Sequence, residues 1–430
     1  MVPYCATNKF ASKSKIPKDL VISSEAQASA EVAMTLVALI RCARMQTHSE
    51  LNRTTVIPPE TRREAPVRVP FHRVLWALWL VMLGIAGCNG GQAPRTPAFV
   101  YAANNGSNNV SAFSVTPSSG ALTPISGSPY AAGTSPTAIA ADPAGKFVYV
   151  ANVGSNNVSA YAVASSTGAL TAVPGSPFST GVGPTGIIVD PIGRFAYVGA
   201  APGVLAYTID SSSGALAQIA GPPFASDAAS VAVDPSGRFL FASGFNLDNL
   251  SAFAINPSSG ALTPVPGSPF TAGVGKNPLG LVVDPSGHFL YLGNTADGTI
   301  SAFSIDQVNG TPTPLAGSPF ATGSDPRSLC VDPKGSFLFA GTFGDGKVSG
   351  YTIGASGALT PISGSPFTVG VGILGVAVDA SGKFLYVADN SPGSVSVLSL
   401  GANGAPTAIS GSPFAAGSGT EAVVVTAKNQ

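Results

Sequence analysis

From Thr96 onward one pattern returns about every 48 residues. A repeat of that size confines the chain to architectures in which each unit packs mainly on its neighbours. Its clearest mark is Asp-Pro-x-Gly-x-Phe at Asp142, Asp190, Asp234, Asp284 and Asp332, with Asp379-Ala380 a near copy; the spacings are 48, 44, 50, 48 and 47 residues. A second mark, Gly-Ser-Pro-Phe or a close variant, ends at Tyr130, Phe178, Phe224, Phe270, Phe320, Phe367 and Phe414, which makes seven units.

Each unit reads as four short strands, A to D, separated by turn chemistry. In the second unit Thr137–Ala141 is strand A, and Asp142-Pro143-Ala144-Gly145 is a turn in which Asp accepts local backbone bonds, Pro presets φ and Gly takes the left-handed position. Strand B follows at Lys146–Ala151, with Phe147 and Tyr149 on one face and Val148 and Val150 on the other. Strand C spans Val158–Val163, and strand D runs from Ala169 to Val173, with prolines that suit an outer edge. Four antiparallel strands per unit at this period describe the blades of a β-propeller. The repeat begins at strand B (Ala98–Ala102) and ends on a lone strand A (Glu421–Thr426), so the last strand completes the first blade and closes a seven-bladed, all-β ring.

Composition agrees. Only 10% of the 430 residues are charged and the chain holds 51 Gly and 37 Pro, against about 25% charged in ordinary soluble proteins, which excludes helix bundles and charged disordered tails. The formal net charge is zero, so no basic field is available to hold nucleic acid. Residues 1–88 nevertheless carry 11 Lys and Arg against 6 Asp and Glu, while 89–430 carry 10 against 15, so two differently made segments share the chain.

The first segment contains an export signal. Val74 to Gly87 is an uncharged stretch behind Arg68, His72 and Arg73, and it ends in Ile85-Ala86-Gly87-Cys88. That ending resembles the lipobox of bacterial lipoproteins, which implies cleavage before Cys88 and acylation of its thiol. We therefore expect residues 67–88 to be a lipoprotein signal peptide, 89–96 a tether, and 97–430 the propeller. Residues 1–66 fit poorly upstream of a signal; they are expected to be non-structural, either an artefact of gene prediction with translation starting near Val67 or Val69, or a poorly ordered extension. The expected location is the bacterial cell envelope, on the membrane through the lipid. After Cys88 only Cys330 remains, so no intramolecular disulfide or CxxC metal site is possible there.

The Phe-x-Tyr-Val-Ala-Asn strand (Phe147–Asn152, with Phe384–Asp389 its variant), the Val-Ser-Ala-Tyr/Phe strand (Val110–Phe113, Val158–Tyr161, Ile300–Phe303) and the Gly-Ala-Leu-Thr turn carry a family likeness. With them the sequence from Pro97 to Thr426 resembles the seven-bladed lactonase-type propellers, the family of 6-phosphogluconolactonase and the carboxymuconate cyclases, with their non-enzymatic YVTN-repeat relatives. The resemblance implies that strand A lines a central channel and that ligands bind where the loop entering A meets the B–C loop. It also implies a Gly-Pro-Arg-His sequence at that loop and an Asn-Glu pair after strand B.

This chain departs from both. The histidine position holds Ala138, Gly186, Ser230, Gly280, Ser328, Gly375 and Ala422. The arginine position holds Thr137, Thr185, Ala229, Leu279, Arg327, Leu374 and Glu421, and the glutamate position holds Asn105, Val153, Ala200, Phe245, Thr295, Phe343 and Asn390. The one histidine after Cys88, His288, falls on a turn, which argues against a Ser-His-Asp triad. Gly181–Gly186 and Gly370–Gly375 fit GxGxxG but precede strands, where a nucleotide loop must open a helix. Asp297-Gly298 and Asp345-Gly346 read as hairpin turns rather than calcium ligands, and Cys330 as a small packed side chain.

The sequence thus points to Arg327 and Glu421 as candidate ligand contacts at the channel mouth, without catalytic residues, metal or cofactor. The reading it favours is a lipid-anchored, monomeric binding module for a small molecule, carbohydrate or protein. The alternative is a lactonase-like hydrolase with a relocated site near Arg327.

Overall fold

The computed structural model describes residues 98–426 apart from 222, 225, 226 and 272. The expected N-terminal extension (1–66), signal peptide (67–88, with Cys88) and tether (89–96) lie outside the described residues. The described chain forms seven antiparallel sheets, one per repeat, and strand A of each blade packs against strand A of the next until the ring closes. In blade two, A is Pro136–Ala141, B is Phe147–Asn152, C is Asn157–Val163 and D is Leu170–Ala172, paired in that order. Blade one takes Thr420–Thr426 as its strand A, paired with Phe99–Asn104 from Phe99↔Thr426 to Asn104↔Thr420. The all-β, seven-bladed ring closed by its C-terminal strand is therefore the fold.

The two faces of strand B explain the packing. Phe147–Asn152 is buried at every position because blades stack on both sides of it. Tyr149 joins Val198 and Leu205 of blade three, while Val148 and Val150 join Tyr101 of blade one. The same arrangement makes an apolar cluster at each interface round to blade seven, where Tyr386 and Val395 meet Val100 and Phe113 of blade one. Fully burying a side chain of this size contributes about 1.5–3 kcal/mol, so the core is a ring of interfaces rather than one centre.

Both sequence marks have structural work. The Asp142 carboxylate accepts from the backbone N–H of Lys146 at 2.5 Å and Phe147 at 2.7 Å, tying the A–B turn shut. Phe147 then packs over the C–D turn of blade three, where a Cβ on Gly214 (φ +78°) would come within 2.4 Å of the ring, and Tyr149 donates to the Gly214 carbonyl at 3.0 Å. The Gly-Ser-Pro-Phe mark shapes the outer edge. A single strand D from Ala169 to Val173 was the expectation; the edge is instead broken into Leu170–Ala172 and Phe178–Ser179, both paired with strand C. The Ser176 hydroxyl bridges the break by accepting from Ala160 N–H at 2.9 Å, and five other blades repeat that bond.

Candidate functional site at the channel mouth

The A strands line a central cavity of about 650 Å³ that includes Arg327, Glu421 and the small residues beside them. Three of the six polar side chains in this lining are engaged across blades. Thr185 Oγ1 donates to Ala229 O at 2.9 Å, Thr137 Oγ1 to Pro184 O at 3.3 Å, and Ser328 Oγ accepts from Val376 N–H at 3.1 Å. Arg327 and Glu421, on blades six and one, are the charged side chains of this lining. Glu421 is also the only glutamate after residue 88.

Close backbone packing holds both in place. A Cβ on Gly375 would lie 2.8 Å from the Glu421 carbonyl oxygen, and one on Gly280 would lie 2.9 Å from that of Arg327. The strand before each charged residue therefore has to present glycine. The same geometry excludes histidine at three of the seven positions, since no side chain fits at Gly186, Gly280 or Gly375 without moving a neighbouring strand.

Arg327 is not paired with Glu421. Its Nε donates to Asp325 Oδ2 at 2.9 Å, its Nη2 forms an ion pair with the same oxygen at 2.8 Å, and its guanidinium lies 4.3 Å from the centre of the Phe343 ring. Asp325, at φ +58°, and Phe343 fix the guanidinium plane, and Nη1 has no hydrogen-bond partner among the described residues. Glu421 is half-buried. Burial pushes its carboxyl up from 4.5 to about 7, while the Arg327 charge and the Asn105 amide pull it back. A carboxyl poised there exchanges a proton at neutral pH, a capacity that sequence position alone did not reveal.

The other singled-out residues lie elsewhere. His288 is exposed on its turn, its Nδ1 3.0 Å from Ser286 Oγ. Cys330 packs beside Val376 and Phe339, and burial pushes its thiol pKa far above the ordinary value. Gly298 and Gly346 take φ of +61° and +65° in their turns. One alignment needs correction: strand B of blade three is Phe195–Ala200, so the residue after it is Ala201, not Ala200. Ala201, Val153 and Phe245 line a second hollow of about 430 Å³ on the same mouth.

A family model described as "Lactonase, 7-bladed beta-propeller" matches residues 95–179, 142–319 and 316–422. The chain belongs to that family. As a lactonase-family propeller it also has solved structural relatives. A Bacteroides fragilis protein provisionally assigned as a 6-phosphogluconolactonase superposes with a TM-score of 0.68 at 20% identity, covering 78% of this chain and 99% of that one. The Pseudomonas aeruginosa periplasmic gluconolactonase PpgL gives 0.65 at 18%, covering 77% and 99%. Hydrazine synthase of Kuenenia stuttgartiensis gives 0.52 at 18%, covering 73% and 98%, so the fold is also found in a protein named for a different reaction. No curated protein matches by sequence at a significant level.

Proposed function

We propose that this lactonase-family propeller opens a lactone at its channel mouth, with Glu421 as the proton-transferring group and Arg327 as the anion contact. The observation that carries this is the cavity of about 650 Å³ in which the only glutamate after residue 88 shares a wall with Arg327. Family membership supports the reaction class.

In this mechanism the Glu421 carboxylate takes a proton from a water as its oxygen attacks the lactone carbonyl. The new C–O bond leaves negative charge on the former carbonyl oxygen, which the free Nη1 of Arg327 stabilises. Collapse breaks the ring C–O bond, and the Glu421 carboxylic acid returns its proton to the departing alkoxide. Lactone and water thus become a hydroxy acid with Glu421 restored. A pKa near 7 suits a group that must serve as base and then as acid.

The test is hydrolysis of glucono-δ-lactone and δ-valerolactone above the spontaneous rate. Turnover of either should be saturable and rise through about pH 7 as Glu421 ionises. Glu421→Gln should lower kcat by about 10²–10⁴-fold, and Arg327→Ala should weaken transition-state binding. A second reading, ligand binding without turnover, draws support from the small residues at every family histidine position. It predicts saturable binding, lost in Arg327→Ala, with no hydrolysis; absence of both binding and hydrolysis would overturn both readings.

We also propose that the ring is held in the bacterial cell envelope by acylation of Cys88 in Ile85-Ala86-Gly87-Cys88. In a lipoprotein-competent host, labelled fatty acid should enter the wild type and not Cys88→Ser. An unlabelled wild type removes the anchor.

A further inference from the structure

The channel mouth is two-sided. Arg327 and Glu421 lie on blades six and one, whereas Thr185, Ala229 and Leu279 on blades three to five carry no charge. Those same three residues also line the hollow of about 430 Å³, so the two cavities share a wall. The hollow is lined mainly by apolar side chains, including Val153, Val182, Ala201 and Phe245. Its one charged lining residue, Asp227, is buried and has an oxygen occupied by the Asn246 N–H at 2.6 Å.

The residues that follow strand B are the ones the family resemblance would make polar. In three consecutive blades they are Val153, Ala201 and Phe245, and all three converge on this hollow. Those three side chains offer a sugar hydroxyl or phosphate no polar partner, and a polar group covered by them without one is penalised. They offer an alkyl or aryl group an apolar surface to cover, in a hollow within the size range of small-molecule pockets.

We propose that the ligand of this mouth is a lactone bearing an apolar substituent. The ring lies toward Arg327 and Glu421, and the alkyl or aryl arm enters the hollow between Val153, Ala201 and Phe245. This rests on the lactone reading above and narrows its substrate class from sugar lactones to amphiphilic ones.

The experiment compares δ-valerolactone with δ-decalactone, the same ring without and with a pentyl arm, on the full-length protein by hydrolysis and by calorimetric binding. The wild type should favour δ-decalactone in kcat/KM by about tenfold or more, the discrimination that an apolar pocket gives to added methylenes. Ala201→Trp, at an exposed position, should fill the hollow, and Val182→Asp should charge its wall. Either variant should collapse the ratio between the two substrates. Hydrolysis of both lactones with no preference for the arm would overturn this inference and leave the lactonase reading standing. No hydrolysis, but tighter binding of δ-decalactone that Ala201→Trp abolishes, would overturn catalysis and support the pocket. A preference that survives both variants would place the arm elsewhere and overturn the proposal, as would no binding of either compound.

Discussion

Asp389 departs from a pattern that three of the other six blades keep. Blades one, two and five carry Asn104, Asn152 and Asn294 there; Asn152 Nδ2 donates to Asn157 Oδ1 and Ser159 Oγ, both at 2.9 Å. Asp389 is 1% exposed and offers only acceptors: Ser396 and Ser394 donate to Oδ2 at 2.6 and 3.1 Å, and Oδ1 has no partner among the described residues. Burial raises its pKa above the ordinary 3.8. The folded state then holds the proton more tightly than the unfolded chain, so stability falls as pH rises from about 4 through the raised folded value, and is level above it. Asp389→Asn removes that loss. Its Tm should exceed the wild type's at pH 8, by about 2–4 °C per kcal/mol regained, with the gain shrinking toward pH 4. A Tm at pH 8 at or below wild type would refute the argument. At this scale the sequence was only partly legible. The places of Arg327 and Glu421 follow from counting within the repeat, but the Asp325 partner and the near-neutral Glu421 carboxyl depend on loop geometry and burial.

Between residue and ring, the recurring element is the grip of strand B on the next blade's C–D turn. Tyr101, Tyr149, Tyr197 and Tyr291 each donate to that turn's glycine carbonyl, at 2.7 to 3.0 Å. Phe241 and Phe339 take the position in blades four and six, and the Tyr386 hydroxyl in blade seven is buried without a partner among the described residues. One substitution should therefore act oppositely in two copies of the repeat. Tyr149→Phe should destabilise by about 1 kcal/mol, whereas Tyr386→Phe should be neutral or stabilising, because it removes an unpaired buried hydroxyl. Urea unfolding of both variants checks this, and equal losses would contradict it. Strands A, B and C were legible because alternation and the Asp-Pro-x-Gly turn are local signals. The broken outer edge was not, since a serine hydroxyl replacing a backbone acceptor leaves no hydrophobic pattern.

Closure and the site meet in one strand at the scale of the whole molecule. Thr420–Thr426 completes blade one, packs against the A strands of blades seven and two, and carries Glu421 into the channel. Thr420 Oγ1 donates to Asn104 Oδ1 at 2.9 Å, and Asn105 N–H to Gly419 O at 2.8 Å, so the seam is bonded at its channel-mouth end. Deleting Gly419–Gln430 should expose two sheet edges and open the ring, producing a lower, broader melt and loss of ligand binding together. Loss of folding by itself would not distinguish a missing seam from a chain weakened in general. A permuted chain makes that distinction. Thr426 faces Phe99 as Asp142 faces Phe147, so Asp-Pro-Ala-Gly-Lys placed between Val425 and Phe99 reproduces the A–B turn of blade two. With Gly419–Val425 moved ahead of that turn and the chain ended after Gly417, blade one receives its strand A locally, as the other blades do. The permuted chain should melt as cooperatively as the wild type and keep the Glu421-dependent activity. A permuted chain that folds no better than the deletion would mean that the order of the strands, and not the seam they form, holds the ring shut.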